Sequence, residues 1–241
     1  MQKYKNVAVI IPALNEALTI SKIIRKVGGY GVDTYVVDDN SQDGTVAKSR
    51  NAGAEVLVLP FRSGSWGATQ AGMLHSIKKD KYDFFITMDA DGQHEPDYIP
   101  LLIERYLSSK VNVVIGSCIQ RGSFARRITW SVFFFLTRLK IHDMTSGFKL
   151  YDKKAVQALL SKEAAMFDYQ DLGPLLLFRR KNIKCIEIPI SMCARKNGCS
   201  RIFDSWLSVS IYLVKTCIWV IVDWISKSDN SLGKLDDYDS I

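Results

Sequence analysis

The stretch KNVAVIIPALNEALTISKIIRKVGG, residues 5–29, decides the fold. Its run Val7, Ala8, Val9, Ile10, Ile11 is apolar at every position, as a strand covered on both faces must be. The run is short and is followed at once by Pro12, so it reads as a buried strand and not as a signal peptide. Asn15 stands where it can cap the next helix, in which Ile20, Ile23, Ile24 and Val27 recur at helical spacing until Gly28 and Gly29 end it. A buried strand running into a helix with one apolar face begins a βαβ unit.

Working outward, the same alternation continues. Strands are predicted at 34–37, 55–59, 84–88 and 111–116, with helices near Gly44 and through 68–79 and 97–108. That order implies an α/β fold with a doubly wound, mostly parallel sheet, in which ligands bind beyond the carboxyl ends of the strands. The second half is less regular. An aromatic and basic helix is predicted at 124–140, further helices at 153–160 and 170–180, a late strand at 184–188, and a long apolar helix at 204–225. One catalytic domain is therefore expected over 1–203, then a helix over 204–226 and a polar, disordered tail over 227–241.

With 241 residues and 47% hydrophobic content, the chain can bury a large core without disulfides. Its five cysteines include no CxxC pair, which fits a reducing compartment and gives no zinc signature. The net charge is +7, and residues 226–241 carry −2, which leaves +9 on the rest and favours anionic partners.

Three acidic or polar clusters follow predicted strands: Pro12-Ala13-Leu14-Asn15-Glu16, Asp38-Asp39-Asn40-Ser41 and Asp89-Ala90-Asp91-Gly92-Gln93. The topology puts all three on one sheet edge. A single such cluster is ordinary helix capping. Three together, two of them with doubled carboxylates, repel one another unless a cation or donor groups offset them. A hard divalent cation held by one or two carboxylates and by substrate phosphates meets that need. A nucleic acid is excluded as partner, because its phosphates would be repelled at this edge. A catalytically dead scaffold fits poorly with intact Asp89, Asp91 and Gln93.

At these residues the chain resembles the family 2 inverting glycosyltransferases of GT-A fold, and among them the polyprenyl-phosphate sugar synthases. The matching stretches are VIIPALNE (9–16), VVDDNSQDGT (36–45), MDADGQHEP (88–96), VVIGS (113–117), TSGFKLY (145–151), EIPI (187–190) and RKNGCSR (195–201), in family order. The resemblance implies a Rossmann-like sheet with a C-terminal interfacial or packed helix. It implies that Pro12, Leu14, Glu16, Val37 and Asp39 line the base and ribose pocket, and that Asp89 and Ala90 sit by the nucleotide. Asp91 and Gln93, with Asp89 sharing the site, would hold Mg²⁺ or Mn²⁺. Arg195 and Arg201 would lie on a mobile loop closing over the phosphates; Gly198 gives that loop freedom and two arginines suit phosphate. The chain departs from the family after VVIGS, where Cys118 replaces the usual arginine. Either Arg121 or the Arg126-Arg127 pair supplies the charge, or the acceptor phosphate is held differently.

The expected reaction is inverting transfer of a hexose from a GDP- or UDP-sugar to a polyprenyl phosphate. A phosphate monoester needs no general base, since its second pKa is about 6. A saccharide hydroxyl, the alternative acceptor, requires one, and Asp171 is then the candidate, against a reading as a solvated helix residue. The helix over 205–225 carries Lys215 at its middle and Asp223 near its end. Each charge at a helix centre costs about 2.5–3.5 kcal/mol on insertion, so this helix is expected to lie in the interface or pack on the domain. The protein is thus expected at the cytoplasmic face of a membrane, peripherally attached.

Overall fold

The computed structural model describes residues 4–118, 141–167, 171–193 and 217–218. Strand β1 (Val7–Ala13) is the centre of its half of the sheet, and Val7 to Ile11 are fully buried. It pairs in parallel with β2 (Asp33–Asp38) on one side and β4 (Phe84–Thr87) on the other. Pro12 lies inside β1 without harm. Its missing N–H would face β4, whose pairing with β1 stops at Ile10 opposite Thr87. Beyond β2 lies β3 (Glu55–Val58), also parallel.

The crossovers are helical. Helix α1 (Ile20–Gly28) turns Ile20, Ile23, Ile24 and Val27 into the core, each no more than 5% exposed. Burying each contributes about 1.5–3 kcal/mol. That outweighs the roughly 1 kcal/mol of a capping hydrogen bond. Packing, not capping, therefore holds α1, and its first residue is left uncapped by any side chain: the N-cap is Thr19, without a side-chain cap bond. This corrects the expectation that Asn15 caps it. Asn15 adopts φ 56° and turns its side chain to another loop. Helix α2 (Thr45–Asn51) follows β2, and α3 (Gly64–Ile77) follows β3. Helix α3 lies close on the sheet at Gly72, where a Cβ would stand 2.6 Å from Ile10 Cγ2 and 2.8 Å from Val37 Cγ2.

After β4 a 3₁₀ turn (Pro96–Tyr98) leads into α4 (Ile99–Leu107), where a single helix from 97 was expected. Then come β5 (Val113–Ser117), β6 (Lys149–Asp152), α5 (Lys153–Leu159), a second 3₁₀ turn (Ala164–Met166), α6 (Leu172–Arg180) and β7 (Cys185–Pro189). The seven-stranded sheet has the order β3-β2-β1-β4-β6-β5-β7. It is mostly parallel, as expected, but β6 was not foreseen and runs antiparallel to both β4 and β5. Phe148 and Leu150 join the core cluster that holds the α1 and α4 side chains, so Lys149 and Tyr151 face the other way, where Tyr151 meets Phe178 of α6.

These elements belong to one unit, Met1–Gly122 with Ile141–Asn197. The expected helices at 124–140 and 205–225 lie outside the described residues, save Cys217 and Ile218. Among the described residues no helix is long and apolar enough to cross a membrane.

Candidate functional site at the carboxyl edge of the sheet

Because β2, β1 and β4 are adjacent and parallel, the segments that leave their carboxyl ends meet. Because β6 runs the other way, its first residues reach the same edge, at Gly147 to Lys149.

The loops after β1 and β2 are laced together. Asn15 N–H donates to Ser41 Oγ at 2.9 Å, and Gln42 N–H donates to Asn15 Oδ1 at 2.8 Å. Glu16 N–H donates to Thr45 Oγ1 at 2.9 Å. Pro12, Leu14 and Glu16 are half-buried along this seam. Val37 is fully enclosed beneath α3, so it offers the edge its backbone and not its side chain. Asp39 is buried, and its carboxylate accepts from Ser63 N–H at 2.6 Å and Gly64 N–H at 3.1 Å, at the positive end of α3. Beside it, Asp38 Oδ2 accepts from Ser41 N–H at 3.0 Å, while Oδ1, buried, has no hydrogen-bond partner among the described residues.

The loop after β4 is held on three sides. From the β1 side, Thr19 Oγ1 donates to the Ala90 carbonyl at 2.7 Å. From the β7 side, Cys193 N–H donates to the Gln93 carbonyl at 3.0 Å, and His94 bridges to Met192. From the β6 side, Gly147 lies against Asp89. A Cβ on Gly147 would stand 2.6 Å from Asp89 Oδ1 and 2.8 Å from Oδ2. Within the loop, Asp91 Oδ1 accepts from Gln93 N–H at 3.0 Å, around Gly92 with φ 79°. Buried His94 accepts from Asp89 N–H on Nδ1 at 3.0 Å. The ring therefore carries its proton on Nε2, and the 3.6 Å approach of Nδ1 to Asp89 Oδ2 is not an ion pair.

Asp89, with 31% of its side chain exposed, Asp91 and Gln93 supply hard oxygen donors on one short turn. Among the described residues no three His, Cys, Asp or Glu side chains converge into a metal cage. Hard oxygen donors of this kind suit an ion of the Mg²⁺ or Mn²⁺ type, which needs only one or two carboxylates when substrate phosphates complete its shell.

The other half of the edge is built from Lys149, Asp171, Glu187 and Asp143, of which sequence reasoning named only Asp171 for a role. Lys149 is 1% exposed. Burial pushes its ammonium pKa down, opposed by the charges of Asp171, Asp143, Cys185 and Asp89. Asp171 stands at the N-cap of α6 and is 5% exposed, so the reading as a solvated helix residue is corrected. Glu187 of β7 accepts from two successive N–H groups, His142 at 2.8 Å and Asp143 at 2.7 Å. Asp143 in turn accepts from Cys118 N–H at 3.0 Å. Lys149 and Glu187 fall in the TSGFKLY and EIPI stretches, whereas Asp143 had no signal in the sequence. Arg195 and Arg201 lie outside the described residues.

Comparison with known proteins agrees with this architecture. The family model for glycosyl transferase family 2 matches residues 8–164. The dolichol-phosphate mannosyltransferase of Pyrococcus furiosus is 27% identical over 212 residues, covering 81% of this chain and 59% of that protein, so the chain spans less than two thirds of that relative. The undecaprenyl-phosphate mannosyltransferase of Micrococcus luteus is 28% identical over 216 residues, covering 81% of this chain and 86% of that protein. Among solved structures, glucosyl-3-phosphoglycerate synthase from Mycobacterium tuberculosis with phosphoglyceric acid superposes with a TM-score of 0.72 at 18% identity, over 91% of this chain and 80% of that one. The same enzyme with Mg²⁺ and uridine diphosphate gives a TM-score of 0.70 at 18% identity, over 91% and 79%. These two share the fold. The family match spans most of the sheet and all three loops of the site, and the chain belongs to glycosyl transferase family 2, with the GT-A fold.

Proposed function

We propose that the protein transfers a hexose, with inversion, from a nucleoside diphosphate sugar to a polyprenyl phosphate at a membrane surface. The observation that carries this reading is the acidic turn Asp89 to Gln93 beside the laced β1 and β2 loops, with Gly147 leaving space for the Asp89 carboxylate. The names of the Pyrococcus and Micrococcus relatives support the lipid-phosphate acceptor.

In this reading the seam of Pro12, Leu14, Glu16, Val37 and Asp39 receives the base and ribose. Asp89 and Ala90 lie by the nucleotide. Asp91 and Gln93, with Asp89, hold Mg²⁺ or Mn²⁺, the ions bound with uridine diphosphate in the tuberculosis enzyme. Such an ion, when bound, offsets the charge that develops on the departing diphosphate. Arg195 and Arg201 add positive charge to the same leaving group. The acceptor oxygen attacks from the opposite face. An ionised lipid phosphate brings its own nucleophile, so no side chain has to remove a proton. Peripheral attachment rests on the aromatic and basic segments at 124–140 and 205–225.

A second reading, transfer to a hydroxyl acceptor, is favoured by one observation: Asp171 is a buried carboxylate and not a surface one. It would then serve as the base. The test is to incubate the protein with a panel of GDP- and UDP-hexoses, Mn²⁺ and either polyprenyl phosphate or a saccharide. Lipid-linked sugar is the expected product. A product formed only on the saccharide overturns the first reading in favour of the second.

A further inference from the structure

Thr19 stands at the N-cap of α1 and is of a residue type that caps well, yet its hydroxyl does not cap. A capping hydroxyl accepts from the helix's free N–H groups. This one is surrounded instead by three acceptor oxygens: the Ala90 carbonyl at 2.7 Å, the Glu16 carbonyl at 3.2 Å and Glu16 Oε2 at 3.4 Å. A hydroxyl has one proton to give, and the 2.7 Å contact takes it. The bond joins residues 71 apart in sequence. The other branch of the side chain points toward the same loop. Thr19 Cγ2 lies 3.7 Å from the point where a Cβ on Gly92 would be, behind the left-handed turn at φ 79°. The hydroxyl of Thr19 therefore bears on the residue between Asp89 and Asp91, while its methyl group borders the open space beside Gly92.

We infer that Thr19 is a positioning residue: its hydroxyl, withdrawn from capping α1, fixes the Ala90 carbonyl and with it the relative placement of Asp89 and Asp91. Its backbone N–H donates to the Glu16 carbonyl at 3.1 Å, so the same residue ties the base-pocket loop to the acidic loop. The role rests on the metal-dependent reading above. Other anchors serve other parts of the loop. Gly147 shapes the room of Asp89, and Cys193 holds Gln93. Thr19 holds the middle.

The test compares Thr19→Val, which keeps the shape and loses the hydroxyl, with Thr19→Ser, which keeps the hydroxyl. Mn²⁺ binding is followed by electron paramagnetic resonance with uridine or guanosine diphosphate present, and hydrogen exchange is followed in the full chain. Groups that orient metal ligands typically matter about 10–100-fold in affinity, so Thr19→Val should bind Mn²⁺ about tenfold more weakly or worse. Thr19→Ser should stay within about twofold of the parent. Exchange should quicken in the peptide over 89–93 for the valine variant alone, while the peptide over 20–28 is unchanged. A valine variant with parental Mn²⁺ affinity and parental exchange at 89–93 overturns the inference. So does quickened exchange confined to 20–28, which would mark a purely structural cap. If the parent itself binds no Mn²⁺ with either nucleotide, or Asp91→Ala binds it equally well, the metal-dependent reading fails and the inference with it.

Discussion

Replacing Gly147 by alanine adds one methyl group at a point where there is no room for it. The new Cβ would sit 2.6 Å from Asp89 Oδ1, 2.8 Å from Oδ2 and 2.9 Å from Cγ. Ordinary contacts between heavy atoms lie at about 3.5–4.0 Å, so the carboxylate has to retreat by roughly 1 Å. Asp89 can do so, because nearly a third of its side chain already faces solvent. The strain is therefore relieved by moving the carboxylate and not by opening the sheet, and stability should fall by no more than about 1–3 kcal/mol, the usual cost of overpacking. Function should suffer more. A misplacement of about 1 Å in a reacting site can cost about a hundredfold in rate. Gly147→Ala is thus expected to lose about two orders of magnitude in turnover, with weakened Mn²⁺ binding in the presence of nucleotide, in a protein that melts only a few degrees lower. The assay is sugar transfer alongside Mn²⁺ titration and thermal unfolding. A double-mutant cycle sharpens it, since in an Asp89→Ala background the alanine at 147 has nothing to displace and should cost little further. Wild-type turnover and Mn²⁺ affinity in folded Gly147→Ala would refute the reasoning, as would a full additional loss in the double variant.

Three further outcomes are expected. Turnover should require Mg²⁺ or Mn²⁺ and vanish in excess EDTA, and Asp91→Ala should remove most activity while thermal unfolding stays near the parent's; full activity in EDTA would sink the metal site. Asp171→Asn should keep single-turnover transfer within about tenfold of wild type, because removing a true base typically costs about 10²–10⁴-fold; a thousandfold loss in a folded, nucleotide-binding variant would point to a hydroxyl acceptor. Hydrogen bonds from Cys193 and Lys26 hold the Glu95 carboxyl below its usual range, so its contribution to stability is present above about pH 4.5 and is lost as the pH falls further. The difference in unfolding free energy between the parent and Glu95→Gln should accordingly shrink from pH 7 to pH 4. It should stay within about 1 kcal/mol, since the pair is partly exposed; a difference that grows in acid would contradict it.

The first half of the fold was legible because fully buried parallel strands leave continuous apolar runs, and the glycine and aspartate stops between them are equally plain. Strand β6 left no such trace. It contributes only Lys149 to Asp152, and a lysine followed by Leu-Tyr-Asp reads as a surface turn. It becomes a strand because the space between β4 and β5 needs an antiparallel partner, and Lys149 tolerates burial because Asp171 and Asp143 offset its charge. No local pattern announces a counter-charge 22 residues away. The cap of α1 failed for a related reason. Asn15 and Thr19 are both good capping types, and what separates them is a partner on another loop, Gln42 for the one and Ala90 for the other. The glycine at 147 reads in sequence as a turn residue, whereas its use is the space it leaves for Asp89. The pattern has a physical cause. The carboxylates at the strand ends are doubled, Asp38 with Asp39 and Asp89 with Asp91, so their residue type alone carries the signal. The loops that carry them are held to one another by single hydrogen bonds and contacts across 24 to 100 positions, and such pairs have no period for a sequence to display.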